Sequence, residues 1–243
     1  MLLKKSTVAF LVFLAVAAFS VIQARSEVMN SGLTIQQQAI IPIAAFAANG
    51  DTEKLKSALE DGLSAGLSVN EIKEVLIQLY AYAGFPRSLS ALNVFLDLLD
   101  TRKAAGITDK VGPAPHELPA DAERRAIGTK IQTELVGHSV RGRIYEFAPA
   151  MDTFLKEHLF CDIFSRGVLS WKDRELATIS ILATLPAPAQ LASHLRVCRN
   201  IGMTETQLKE AAAVLKARVS ETAGTLMNDL LEKMYSADRK EGN

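Results

Sequence analysis

Few residues of this 243-residue sequence can carry a proton or act as a nucleophile near neutral pH: four histidines and two cysteines. His194 shares a helix face with Leu191, Leu195 and Cys198, so its imidazole is expected largely inside. A core histidine that only makes a structural hydrogen bond has the same pattern. Cys198 lies one turn beyond His194, a spacing at which an imidazole can activate a thiol, but it also fits a small buried apolar residue. Glu175 falls in the first turn of the preceding helix, where a carboxylate is favoured by the helix dipole whatever else it does. His158 sits on an amphipathic segment and either packs or lines a pocket. Arg196 can hold a substrate carboxylate, or is an exposed helix arginine. His116 falls in a linker and His138 in a bend. No His-Glu-x-x-His or similar cluster occurs, so no metal is expected. A glycine-rich phosphate loop and a Gly-x-Ser-x-Gly elbow are also missing, and no cofactor is expected.

The elements that must position these groups are helical. Alanine and leucine are abundant, and aromatic residues make up only 6%. Lys and Arg total 27 and Asp and Glu also total 27, which leaves no net pull toward nucleic acid. Lys4 and Lys5 followed by the apolar run Val8 to Ile22 form a signal-peptide pattern over residues 1–24. Export to a periplasm, with membrane contact only through that segment before cleavage, is the expectation. Beyond it, Gln36–Ala48 and Thr52–Leu63 are expected as helices joined by Asn49-Gly50-Asp51, a glycine stop followed by an N-cap. Gly66 ends the second. Ser68-x-x-Glu71 then caps a helix through Tyr80 and Tyr82, which Gly84-Phe85-Pro86 interrupts before Arg87–Leu99 resumes. Three prolines between Gly106 and Pro119 mark a linker (residues 101–119). Ala120–Thr133 is expected as a helix, His138–Ile144 as a bend. Met151–Ser165 is expected as a helix with Phe154, Leu155, His158, Leu159 and Ile163 inward.

The chain then repeats itself. Subtracting 136 lays Leu169–Glu210 on Leu33–Glu74 without a gap, with nine identities among 42 positions. Ile179 falls on Ile43, Leu191 on Leu55, Leu195 on Leu59 and Gly202 on Gly66, in one apolar phase. The expected architecture is all-α, with two tandem repeats related by a pseudo-two-fold axis. The first repeat spans 33–100, and the connecting helices with the second repeat span 120–235. Glu175 falls on Ala39 and His194 on Ala58, so only the second repeat carries these groups; the first is expected to serve as packing partner and pocket wall.

The blocks Ser170-Trp-Lys-Asp-Arg-Glu-Leu-Ala-Thr-Ile-Ser, Gln190-Leu-Ala-Ser-His-Leu-Arg and Asn200-Ile-Gly-Met-Thr resemble the carboxymuconolactone decarboxylase family, as does Glu71 through Pro86 in the first repeat. The resemblance implies the alkyl hydroperoxidase D-like helical fold and a homo-oligomeric ring, here a trimer of fused repeats. It also implies that Glu175 and His194 line a pocket together. A buried imidazole beside a carboxylate is a common way to tune a proton carrier. In an ideal hairpin centred on Ala187, Glu175 sits ~18 Å and His194 ~10 Å from the turn. That offset calls for a bridging water or substrate, or for a bent or longer turn.

The peroxidase branch of this superfamily places Cys-x-x-Cys four residues ahead of the histidine, where this chain has Ala187 and Gln190. A peroxiredoxin-type oxidoreductase is disfavoured for lack of that thiolate. The function that the resemblance implies is a cofactor-independent acid–base lyase acting on a small lactone or keto acid. Its catalytic residues are Glu175 and His194, with Cys198, His158 and Arg196 as further pocket residues. The decarboxylation for which the family is named belongs to a cytoplasmic pathway while the chain has an export pattern, so a related substrate is expected. The alternative is a non-catalytic periplasmic small-molecule binding or assembly protein.

Overall fold

A computed structural model describes residues 32–185 and 187–241; the expected signal segment lies outside the described residues. Among the described residues all regular structure is helical. The first repeat consists of α1 (Ile35–Asn49), α2 (Thr52–Ser64), α3 (Val69–Gln78) and α4 (Tyr80–Ala104). The connecting region holds α5 (Arg124–Val136), α6 (Arg143–Phe147), α7 (Pro149–Thr153), a π-helical segment Phe154–Ile163 and a 3₁₀ turn Phe164–Arg166. The second repeat consists of α8 (Trp171–Thr184), α9 (Pro188–Asn200), α10 (Glu205–Arg218) and α11 (Glu221–Glu241).

The local signals act as their chemistry dictates. Thr34, Ser68 and Thr204 close capping boxes with Gln37, Glu71 and Gln207, and Ser170 caps α8 by accepting from the Asp173 amide. Gly50 ends α1 at φ 79°, a left-handed conformation that costs glycine nothing. Gly84, at φ 82° and ψ 161°, breaks α4 between its first turn and the long remainder. That break extends the repeat beyond what residue identities reveal: subtracting 136 from Glu221–Glu241 gives 85–105, the portion of α4 that follows Gly84.

The two central helices are α1 and α8, which pack on each other. Ala39 through Ala48 of α1 and Arg174 through Ala183 of α8 are continuously buried. A helix buried all round needs no amphipathic stripe, and α1 is accordingly apolar over that stretch. Reciprocal contacts express the pseudo-two-fold axis. Gln37 Nε2 donates to Asp173 Oδ1 at 2.9 Å, and these two positions are equivalent under the 136-residue offset. Gln38 Nε2 donates to Glu210 Oε1 at 2.9 Å, while the equivalent pair, Arg174 and Glu74, meets at 2.8 Å.

The connecting region departs from the sequence expectation in two ways. Ala120 and Asp121 form a turn, Ala122 and Glu123 are irregular, and α5 begins only at Arg124. The helix expected over Met151–Ser165 is α-helical only through Thr153 and then winds as a π-helix. Its i→i+5 bonding rotates each later side chain away from a 3.6-residue phase. Phe154 (62% exposed) and His158 therefore face outward, correcting the inward placement expected for both, whereas Leu159, Phe160, Cys161 and Ile163 are buried. Gly128 of α5 lies against the Lys156 carbonyl, where a Cβ would overlap it, and so sets the close approach of α5 to the π-helix. This region docks on the repeats through Ile131, Leu135, Phe160 and Phe164, which pack against Tyr82, Trp171 and Val197. Asn200, at the end of α9, donates to the Glu134 and Leu135 carbonyls at 2.9 and 2.8 Å, holding the C-terminus of α5.

Candidate active site

Because every face of α8 is buried over Arg174–Ala183, each polar side chain on it must find a partner inside the protein. Glu175 is 1% exposed and its Oε2 lies 2.8 Å from His194 Nδ1 on α9. Counted from the helix ends, Glu175 is nine residues before Thr184 and His194 six after Pro188, or ~13.5 and ~9 Å along the two axes. Extended Leu185 (φ −84°, ψ 144°) leads out of α8, so the connection is longer than an ideal tight turn. The remaining offset is within reach of a glutamate, and the contact is direct.

An ionised carboxylate can only accept, so the hydrogen in this contact belongs to His194 Nδ1. Nε2 is left as the nitrogen that can exchange a proton elsewhere. Burial by itself would pull the His194 pKa down. The Glu175 charge and hydrogen bond outweigh it and hold the imidazole above its ordinary value. The side chain retains 21% exposure, so the imidazole is neither sealed in the core nor freely solvated. Glu175 Oε1 is buried without a hydrogen-bond partner.

The first repeat supplies a wall. Tyr82, in the turn of α4 before Gly84, sets its ring edge-on to the His194 imidazole, with centroids 5.9 Å apart and planes at 80°. Burial and the nearby Glu175 charge push its phenol pKa up, so the hydroxyl stays protonated.

Beside the pair runs a buried ionic network that the sequence reading missed. Arg174 (0% exposed) donates through one terminal nitrogen to Glu74 Oε2 at 2.8 Å and through the other to Gln78 Oε1 at 3.1 Å. Gln78 Nε2 returns to the Arg174 carbonyl at 2.9 Å and to Thr178 Oγ1 at 2.8 Å. Arg166 Nε reaches both Glu74 oxygens, at 2.9 and 3.0 Å. The available signal was an Arg-Glu dipeptide inside a segment whose counterpart in the first repeat is almost wholly apolar.

Of the other predicted pocket residues Cys198 lies close to the pair, whereas His158 and Arg196 are exposed. Cys198 is fully buried as a free thiol, and burial together with the Glu175 charge raises its pKa well above the ordinary value, so it is a poor thiolate. Cys161 is likewise buried and free, and the two form no disulfide. His158 is exposed, with its Nδ1 2.9 Å from Asp162 Oδ2 and its ring tilted on Tyr80. Arg196 is exposed on α9. His138 Nδ1 lies 3.2 Å from the Ser139 carbonyl, and His116 is tied to the Arg166 carbonyl through its backbone amide. In the first repeat the equivalents of the pair, Ala39 and Ala58, are 3% and 4% exposed and simply fill core.

Comparison with known proteins agrees with this arrangement of repeats. The chain is 32% identical over 94 residues to a 4-carboxymuconolactone decarboxylase of Acinetobacter baylyi, an alignment covering 37% of this chain and 70% of the relative. Two segments, residues 17–97 and 149–222, match a single family description, once for each repeat. With its all-helical tandem repeats, the chain belongs to the carboxymuconolactone decarboxylase family.

Proposed function

We propose that the protein is a cofactor-independent acid–base lyase acting on a small lactone or keto acid in its second repeat. The observation that carries this reading is the 2.8 Å contact between His194 and the buried Glu175. In the proposed reaction the bond between the substrate's ring carbon and its carboxylate breaks, and CO₂ leaves. The electron pair delocalises into the unsaturated ring, and His194 Nε2 delivers a proton to carbon. Solvent then reprotonates the imidazole. Glu175 fixes the tautomer that presents Nε2 and stabilises the charged form between turnovers. The half-buried imidazole, on a helix whose Leu191 and Leu195 are buried, suits a step in which a carbanion must be kept from bulk water. The relative's name makes 4-carboxymuconolactone the first substrate to try, with small keto acids such as acetoacetate beside it.

Removing a general acid typically costs 10²- to 10⁴-fold in rate. His194→Gln is thus expected to abolish most CO₂ release, and Glu175→Gln to reduce it. Full activity in both variants, measured as CO₂ evolved per unit time, would sink the proposed roles.

The buried alanines at positions 39 and 58 favour one other reading, in which the chain binds a small molecule without turning it over. Ligand binding at His194 with no CO₂ evolved from any substrate would support that alternative. The export pattern of residues 1–24 supports a site of action outside the cytoplasm, and the family resemblance supports a trimeric assembly. Periplasmic fractionation and light scattering test these two in turn.

A further inference from the structure

Three buried polar atoms around the pair have no hydrogen-bond partner: Glu175 Oε1, Arg174 Nε and the Tyr82 hydroxyl. The last is the most informative. Phenylalanine would give the same packing and the same edge-on contact with His194, without burying a hydroxyl that makes no bond. The Thr178 hydroxyl lies close enough to influence Tyr82, but its well-formed bonds go elsewhere: it donates to the Arg174 carbonyl at 3.0 Å and accepts from Gln78 Nε2 at 2.8 Å, and the phenol makes no bond of good geometry with it. Tyr82 itself is only half-buried and lies where the repeat core meets the connecting region. Its equivalent under the repeat offset is Arg218, which turns outward to Asp61 at 2.6 Å. A tyrosine beside the second-repeat pair therefore has no match in the first repeat's blank site.

We propose that Tyr82, supplied by the first repeat, is a ligand-binding residue of the second repeat's site: its hydroxyl donates to an oxygen of the bound molecule while its ring edge keeps the imidazole aligned with Glu175. The ligand class this fits is a small, oxygen-rich acid, with a carboxylate or lactone carbonyl to accept from the phenol. Arg174 and Arg166 lie behind, paired to Glu74, and the unpartnered Arg174 Nε belongs to that buried network. The phenol and the imidazole, which face one another at the pair, are the donors assigned to the ligand. This inference rests on the site reading above and explains why a repeat that has lost its own pair is retained.

The test uses the whole protein, with 4-carboxymuconolactone and, as a minimal carboxylate, acetate as probes. His194 ring resonances are followed by NMR during titration of wild type and Tyr82→Phe, and the thermal midpoint of each is measured. The expected result is at least tenfold weaker binding in Tyr82→Phe with a midpoint unchanged or higher, because a partnerless buried hydroxyl adds nothing to stability. Equal binding in the two proteins would overturn the proposal and leave the site reading standing. A lowered midpoint would also overturn it, since the hydroxyl would then be held by the fold. No response of wild-type His194 to either probe would count against the site reading itself and take the Tyr82 inference with it.

Discussion

At the scale of single residues the two groups of the pair act on one another in a way that pH reveals. His194 has its pKa raised in the folded protein, so its sign is that of a group whose charged form the fold favours. The stability it contributes is complete below the ordinary histidine pKa and is lost as pH rises through the folded-state value. Glu175→Gln keeps the shape but removes the charge that outweighs burial. The His194 pKa should then fall below its wild-type value, and the decline of stability as pH rises above the ordinary histidine pKa should flatten. NMR titration of the imidazole and urea unfolding at a series of pH values check the two halves of this prediction. An unmoved pKa would mean that the 2.8 Å contact carries no electrostatic coupling.

Between elements, a buried ionic contact joins the repeats. Arg174 reaches across from α8 to Glu74 and Gln78 of α3, and Arg166 reaches Glu74 from the 3₁₀ turn. Taking away one partner of a buried ion pair leaves the other uncompensated, at about 3–5 kcal/mol, whereas replacing both with apolar residues is often near neutral. Arg166 still pairs Glu74 when Arg174 is removed, so the variant that strands a charge is Glu74→Leu. It leaves the fully buried Arg174 without a carboxylate and should cost more in a denaturation experiment than Glu74→Leu and Arg174→Met combined. The π-helix supplies a second test. Gly128→Ala improves helix propensity by ~1 kcal/mol, but its Cβ meets the Lys156 carbonyl, an overlap that costs about 1–3 kcal/mol or more. A lower thermal midpoint for Gly128→Ala is the expected outcome, and a higher one would show that the connecting region shifts freely. These two features also mark where sequence reasoning stops. Caps such as Thr34 and Ser68, the left-handed Gly50 and the break at Gly84 are written in a few adjacent residues and were legible. The pairing of His194 with Glu175 came from family resemblance, since spacing alone left a gap along the helix axes. Nothing local distinguishes a π-helix from an α-helix over Phe154–Ile163, and Arg174 looks like any charged residue of a helix's first turn until α3 and the connecting region meet it.

At the scale of the whole molecule the two repeats have the same helices but different duties. Each contributes four helical units in the same order, and the contacts of Gln37 with Asp173 and of Gln38 with Glu210 preserve the exchange between them. Function has been divided unequally. The second repeat has the imidazole and the carboxylate, the first has Tyr82 and Glu74, and the region 120–166 packs against Tyr82. If symmetry of the backbone were enough to make a site, writing the pair into the first repeat would create a second one. The packing predicts otherwise. Ala39 lies on a helix buried among apolar neighbours, and the residue equivalent to Tyr82 is the outward Arg218. A carboxylate at position 39 would be both oversized and unpaired, so Ala39→Glu should destabilise the protein by on the order of 3 kcal/mol or more. Adding Ala58→His should recover only part of that loss, because a new pair gains Coulomb energy but still has to displace core atoms. Urea unfolding of the single and double variants measures both steps, and the His194 titration in the same proteins should remain at its wild-type value. A double variant as stable as wild type, with a second titrating imidazole, would instead mean that the first repeat has kept a usable cavity and that its silence rests on two side chains alone.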